Sequence, residues 1–389
     1  MRLDEIQAAI KAEGVDGWLF FDHHRRDPLA YRVLQFTPGS MVSRRWYYFV
    51  PAKGAPRGLV HKIESQTLRE LPGEMATYAA WSSMVDGIRE IVGGAKKIAM
   101  QYSANCAIPY VATVDAGTIE LVRGLGFEIV SSANLIQQFE AKWSSDQLES
   151  HLEAGRRIDG VRREAFELIG AKVRAGDRIT EWDVKQFILD RYKEEEVFID
   201  HGPDVAVNAN ASNPHYDPSR DACSEIQKGD LVLIDMWGKL DRPGTVYYDI
   251  TWVAYCGPKP PEKIEKVFTI VRDARDRAID CVKSAVAAGR DLRGFEVDDA
   301  ARQNIQAAGF GEYFFHRTGH SIGEEIHGTG ANMDNLETHD ERRVIPWTGF
   351  SIEPGIYLPE FGVRSEIDMF VDEKSARVTG EIQRELVLI

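Results

Sequence analysis

Residues 231–251 read LVLIDMWGKLDRPGTVYYDIT, and residues 349–368 read GFSIEPGIYLPEFGVRSEID. Each stretch has an apolar run that ends on an acid, a polar turn, and a second apolar run that meets a second acid. That is the pattern of a strand pair. Asp235 and Asp249 lie 14 residues apart in the first stretch, and Glu353 and Glu366 lie 13 apart in the second. Asp235 follows LVLI and Glu353 follows FSI, so these acids belong to buried strands and not to a solvated surface. Between the two stretches, residues 316–327 read HRTGHSIGEEIH, a histidine-rich strand and turn around His320. Four carboxylates converging on one imidazole repel strongly unless cations hold them. Asp235, Asp249, His320, Glu353 and Glu366 therefore read as the donors of a two-metal site.

This half of the chain also repeats itself. VRAGDRITEWDV (173–184) aligns with VAAGRDLRGFEV (286–297) at an offset of 113 residues. The offset is 118 from Asp235 to Glu353 and 117 from Asp249 to Glu366. Each repeat reads as helix, Ala-Gly turn, helix, strand and carboxylate hairpin. A duplicated unit closed around a pseudo-two-fold axis brings the two hairpins face to face. Ahead of it, Ser144 and Gln147 have the spacing of a capping box. A helix of about 30 residues is expected from there to Val173, stopped at Ala175-Gly176 by a left-handed C-cap.

The chain of 389 residues exceeds what one core usually supports. Two domains are expected, 1–140 and 145–389, meeting near Lys142. In the first, WLFF (18–21), RWYYFV (45–50), KIAM (97–100) and FEIV (127–130) read as strands, and IESQTLREL (63–71) and MVDGIREIV (84–92) as amphipathic helices. The fold class is α/β (α+β), with a mixed sheet in a first domain that carries no GxGxxG, P-loop or ligand cluster.

A hydrophobic content of 43% and a charged content of 28% suit a soluble globular protein. The net charge of −14 argues against nucleic acid or an anionic membrane as partner and fits a small neutral or cationic substrate. No apolar run of about 18 residues is present. MRLDEIQAAIKAEG at the start reads as an amphipathic helix and not a signal peptide. Cys106, Cys223, Cys256 and Cys281 are scattered without CxxC spacing, which fits a reducing cytoplasm.

IDMWG (234–238), YYDIT (247–251), HRTGHSIG (316–323), IEPGIY (352–357) and GVRSEID (362–368) together resemble the creatinase/aminopeptidase P/methionine aminopeptidase family, the M24 pita-bread metallopeptidases. The ligand order Asp, Asp, His, Glu, Glu is that family's order. An α/β domain ahead of the pita-bread half is similar to the Xaa-Pro peptidases. The resemblance implies a creatinase-type first domain, a dimer, and hydrolysis of Xaa-Pro bonds by a metal-bridging hydroxide. Asp249 and Glu366 would bridge two ions, Asp235 would hold one, and His320 with Glu353 the other. The oxygen-rich donor set favours Mn²⁺, with Co²⁺, Fe²⁺ or Zn²⁺ as substitutes. Glu353 would shuttle the proton, His327 would bond the oxyanion, His316 would contact the residue after the scissile bond, and His215 would line the pocket. Arg364 would pair with a neighbouring carboxylate or bind substrate, and Thr251 and Tyr357 would orient the ligands. The pattern departs from the family at Met236-Trp237-Gly238, at the longer turn holding Asp241-Arg242-Pro243, at Trp252 and at Ile367, none of which removes a ligand.

An Xaa-Pro dipeptidase is the leading expectation and an Xaa-Pro aminopeptidase its runner-up. The first needs a cation for the substrate carboxylate, which His23-His24-Arg25-Arg26 could supply, unless it is a solvated loop. A hydrolase of a non-peptide C–N bond and a non-catalytic scaffold are further alternatives. Gly319-His320-Ser321-Ile322-Gly323 also fits the nucleophile elbow of serine hydrolases, though the acid and histidine that must follow are poorly placed.

Overall fold

The structure, a computed structural model, describes residues 1–37 and 41–389. The chain divides into two compact units, 1–140 and 141–389. The first unit holds six strands: β1 (Gly17–Asp22), β2 (Trp46–Pro51), β3 (Arg57–His61), β4 (Glu74–Tyr78), β5 (Lys97–Met100) and β6 (Glu128–Ser131). They form one mixed sheet in the order β4-β3-β2-β1-β5-β6. Every residue of β1 is buried, so both faces of the sheet are covered. Period-two alternation decides what covers each. Trp18 and Phe20 join Ile6 and Ile10 of α1 (Leu3–Glu13), Val33 of α2 (Pro28–Leu34) and Ile136 of α5 (Ala133–Glu140). Leu19 and Phe21 point the other way, to Ile88 of α3 (Trp81–Val92) and Val122 of α4 (Ala116–Gly124).

One expected helix is absent. Residues 63–71 lie in a single 3-10 turn, Lys62–Glu64, followed by irregular turns. The segment is the short link between parallel β3 and β4, and Pro72 disfavours helical geometry at Leu71. Leu68 and Leu71 are buried all the same, which is why the apolar spacing looked helical.

The second unit opens with α6 (Ser145–Ala175), capped by Ser144 and Gln147 in a capping box and ended by Gly176 at φ 75°. α7 (Glu181–Glu194) follows, then β7 (Val197–Phe198), β8 (Asp204–Val207), β9 (Leu231–Leu240) and β10 (Tyr248–Tyr255). The second copy begins with α8 (Glu262–Ala287) and α9 (Gly294–Ala307) and continues through β11 (Ser321–Ile322), β12 (Thr348–Ile352), β13 (Gly355–Leu358), β14 (Phe361–Arg364), β15 (Ile367–Val371), β16 (Ala376–Val378) and β17 (Val387–Leu388). Gly176 and Gly289 occupy equivalent turns, at φ 75° and 63°. Only a residue without a Cβ penalty suits both.

Helices cover the outer faces. Val232, Ile234 and Ile250 of β9 and β10 pack on Ile158 of α6 and Val184 of α7. Asp235, Asp249 and Thr251 are therefore on the opposite face of that strand pair. In the second copy Ile352, Ile367 and Met369 pack with Val271 of α8 and Val297 of α9, which leaves Glu366 and Asp368 on the other face. The second stretch is not one hairpin. β12 pairs with β15, Ile352 opposite Ile367, and β13–β14 is a separate hairpin inserted between them. Glu353 and Glu366 sit at the two points where the chain leaves and rejoins the pair. The two half-sheets are joined by the Glu366 N–H, which donates to the Thr251 carbonyl at 3.1 Å.

Candidate metal centre

In β9–β10, Thr251 lies opposite Asp235 and Asp249 opposite Trp237. The register puts both aspartates on the inner face two rungs apart. One atom each of Asp249, His320 and Glu366 lies within 4.8 Å of the other two, and all three residues are buried. His320 Nε2 stands 3.5 Å from Asp249 Oδ2 and 3.6 Å from Glu353 Oε1. Its Nδ1 faces the Ser321 carbonyl at 3.2 Å, so the proton belongs on Nδ1 and the Nε2 lone pair points at the carboxylates. Burial lowers the His320 pKa, which keeps the ring neutral.

Asp235 is held differently. Arg364, buried two residues before Glu366, donates through Nη2 to Asp235 Oδ2, through Nε to Thr251 Oγ1 at 3.0 Å, and through Nη1 to the Tyr357 hydroxyl at 3.1 Å. Thr251 Oγ1 donates in turn to Glu366 Oε2 at 2.7 Å. Tyr357 bonds His316 Nε2 at 2.7 Å, and His316 Nδ1 bonds the Arg317 carbonyl at 2.7 Å. One network thus runs from His316 to the two carboxylates Asp235 and Glu366. Burial first, then Arg364, pushes the His316 pKa down to about 3.

The acids carry the electrostatic cost of this arrangement. Burial raises Asp249 and Glu366 well above the carboxylate range, and their acidic neighbours raise them further. Burial, with Asp249 and Asp235 adding to it, raises Glu353 to about 7. Oδ1 of Asp235, of Asp249 and of Asp368 is buried without a hydrogen-bond partner among the described residues. Buried carboxylate oxygens left unpaired are rare. Hard oxygen donors around one oriented imidazole fit divalent cations.

The remaining expected residues fall at varying distances. His327 is exposed, with its ring edge-on to His320 at 4.5 Å between centroids. Desolvation and His320 both lower its pKa. His215 is exposed as well, its backbone N–H bonded to Asn213 Oδ1 and its ring, among the described residues, making no hydrogen bond to the acids. It lies near enough to His327 to disfavour a proton there. Arg364 reaches no free carboxylate beyond the cluster: it pairs with Asp235 itself. Ser321 is no nucleophile elbow. It is buried, its Oγ accepts the Gly330 N–H at 3.0 Å, and no helix follows β11 before β12.

Two acids of this neighbourhood had little or no signal in the sequence. Asp204 on β8 lies directly across from Asp235, and burial with the Asp235 charge raises it to about 7. Asp368 reads equally well as a solvated strand-end acid, yet it is buried and its Oδ2 accepts the Asp249 N–H at 2.8 Å. Its place two residues after Glu366 puts it on the same strand face, the one clue available.

Residues 149–373 match metallopeptidase family M24. The chain belongs to that family. Within M24 it is 37% identical over 163 residues to an Xaa-Pro dipeptidase of Lactobacillus delbrueckii subsp. lactis, an alignment covering 42% of this chain and 40% of that relative. The aligned part thus spans about two fifths of the relative's length. The crystal structure of dipeptidase PepE from Mycobacterium ulcerans has the same fold, with a TM-score of 0.63 and 23% identity over 100% of this chain and 97% of that one. A dipeptidase from Pyrococcus horikoshii OT3 gives a TM-score of 0.58 at 25% identity over 100% of both chains. Among the described residues no helix is long and apolar enough to cross a membrane.

Proposed function

We propose that this M24 protein is a metal-dependent Xaa-Pro dipeptidase. The observation that carries the reading is the buried cluster of Asp249, His320 and Glu366, with Glu353 beside His320 and carboxylate oxygens left without partners. Relatives named as dipeptidases support the substrate class. Asp249 and Glu366 would bridge two ions, Asp235 would hold one, and His320 with Glu353 the other, with Mn²⁺ preferred by the oxygen-rich set. Bound there, the pair would supply Lewis acidity and a water of lowered pKa.

The chain's own residues do the rest. Glu353 takes the proton of the attacking water and delivers it to the leaving prolyl nitrogen. Neutral His327, at the exposed side of His320, donates a hydrogen bond to the carbonyl oxygen as charge develops on it. His316 and His215 contact the proline side of the substrate. Arg364, Thr251 and Tyr357 hold Asp235 and Glu366 in place. A tertiary Xaa-Pro amide has no N–H, so a dedicated pocket rather than a backbone donor site must accept it. Residues 1–140 and 145–389 act as separate domains, and a cytoplasmic homodimer that engages neither nucleic acid nor membrane is the expected assembly.

The test is hydrolysis of Ala-Pro, Ala-Pro-Ala, Ala-Ala and an ester, each with Mn²⁺ and with EDTA. Metal-dependent cleavage confined to Ala-Pro is expected. Faster cleavage of Ala-Pro-Ala would make the protein an Xaa-Pro aminopeptidase. Loss of both proline activities with metal bound would move the substrate to a non-peptide C–N bond.

A further inference from the structure

The carboxyl ends of β1, β3 and β4 open into a cleft of about 530 Å³ inside the first unit, lined by His23, Arg26, Arg44, Arg45, Tyr78 and Trp81 among others. Small molecules bind at this end of α/β sheets. The cleft is positive in a chain whose net charge is −14. Among the described residues Arg26, Arg44 and Arg45 form no ion pair with a carboxylate. The acids nearby are committed elsewhere. Asp115 caps α4 through the Thr118 N–H and hydroxyl. Glu64 accepts the Ser43 and Arg44 amides and the Ser43 hydroxyl. Asp22 accepts the amides of residues 25–27 and the Tyr31 hydroxyl.

His61 is committed within the chain: its Nδ1 accepts the Ile63 N–H and its Nε2 faces the Ala79 carbonyl. Desolvation and the neighbouring His24, Arg26 and Arg45 lower the His23 pKa, as an uncompensated positive field should. Trp81 is 59% exposed, and the Arg45 guanidinium lies 5.4 Å from its ring centroid. Arg44 Nη1 donates to the Ser43 carbonyl at 3.2 Å and to Ser43 Oγ at 2.9 Å, but guanidinium groups without a carboxylate partner, beside an exposed indole, still offer forked donors to an oxyanion and a flat platform to whatever carries it.

We propose that this cleft binds a small organic anion, with its carboxylate or phosphate held by Arg26, Arg44 and Arg45 and its planar body laid on Trp81. The inference does not depend on the metal centre or on the peptidase reading. It is tested by calorimetric titration of the full-length protein, treated with EDTA so that bound metal cannot take the anion, using phenyl phosphate, benzoate and uncharged benzyl alcohol. Saturable binding at about 1 mM or tighter is expected for at least one anion and not for the alcohol. Phenyl phosphate alone would assign a phosphate ligand, and benzoate alone a carboxylate. Arg26→Gln and Arg45→Gln should each weaken binding roughly tenfold. Trp81→Ala is the second variant should an arginine variant fold poorly, and it should weaken binding similarly. Asp249→Asn should leave it unchanged. Absence of binding by either anion overturns the proposal, as does binding that ignores the arginine and Trp81 substitutions.

Discussion

Asp368 Oδ2 accepts the backbone N–H of Asp249 at 2.8 Å, and His151 Nε2 approaches the same oxygen at 3.9 Å. The acid thereby fixes the backbone from which Asp249 projects without itself belonging to the donor triad. His151 is fully buried, bonded to the Tyr247 carbonyl and to Thr379 Oγ1, and held to a pKa of about 4 by burial. The neutral ring adds no positive charge that would offset Asp368. Asp368→Ala should therefore lower metal affinity by about 10–100-fold, the usual effect of losing a residue that orients a ligand. Asp368→Asn keeps an acceptor for the amide and should lose less. Calorimetric titration of Mn²⁺ into metal-free protein reads this directly. Equal affinities in all three proteins would reduce Asp368 to a structural acid.

Within one buried volume, Asp249 raises the Glu366 pKa, and Asp235 and Asp204 raise that of Asp249. In metal-free protein, removing one charge relieves that repulsion. Asp249→Asn should raise the Tm of the EDTA-treated protein while abolishing Mn²⁺-dependent hydrolysis and most of the Tm gain on adding Mn²⁺. For wild type, saturation at about 100 times Kd adds about 2.7 kcal/mol. A domain of this size gains roughly 2–4 °C per kcal/mol. A variant that hydrolyses Ala-Pro normally would rule out Asp249 as a bridging ligand.

The pH dependence follows from the same acids. Asp204 and Glu353 are raised to about 7 in the folded protein, while in the unfolded chain they titrate near 4. Between those values the folded state holds protons that the unfolded state has lost. Stability of metal-free protein should therefore fall as pH rises from about 4 to about 7 and level off above. Bound cations favour the ionised acids and lower their pKa, so in excess Mn²⁺ stability should rise over the same range. Thermal unfolding at several pH values, with EDTA and with Mn²⁺, gives both slopes. Asp204→Asn should flatten the metal-free slope, and parallel curves with and without metal would contradict the assignment.

How far the sequence announced this centre depended on whether a residue's partner lay close in the chain. Asp235 and Glu353 stood out because a buried apolar run ended on each, and the repeat stood out because Gly176 and Gly289 mark equivalent turns. Asp204 and Asp368 could not be read, since their importance comes from cross-strand register and from an amide 119 residues away. The inserted β13–β14 hairpin escaped for a related reason: its residues carry the same apolar alternation as the strands on either side, and only the long-range pairing of β12 with β15 separates them. Residues 63–71 show the reverse error, where buried Leu68 and Leu71 imitate a helical face in a link of irregular turns ending at Pro72.

Arg364 is the cation that the metal-free centre already holds. It pairs with Asp235 and is almost wholly buried. Breaking a buried pair by removing one partner typically costs about 3–5 kcal/mol, because the other charge is left uncompensated. Arg364→Met should therefore destabilise the EDTA-treated protein by that order. Divalent cations replace the missing charge, so the Tm gain on adding Mn²⁺ should be larger than in wild type. Arg364→Lys restores the charge but not the three-way fork to Asp235, Thr251 and Tyr357, and should recover stability more than kcat. Differential scanning calorimetry of the three proteins with and without Mn²⁺ separates these effects. A Tm gain in Arg364→Met no larger than that of wild type would mean that the arginine and the metals do not share Asp235.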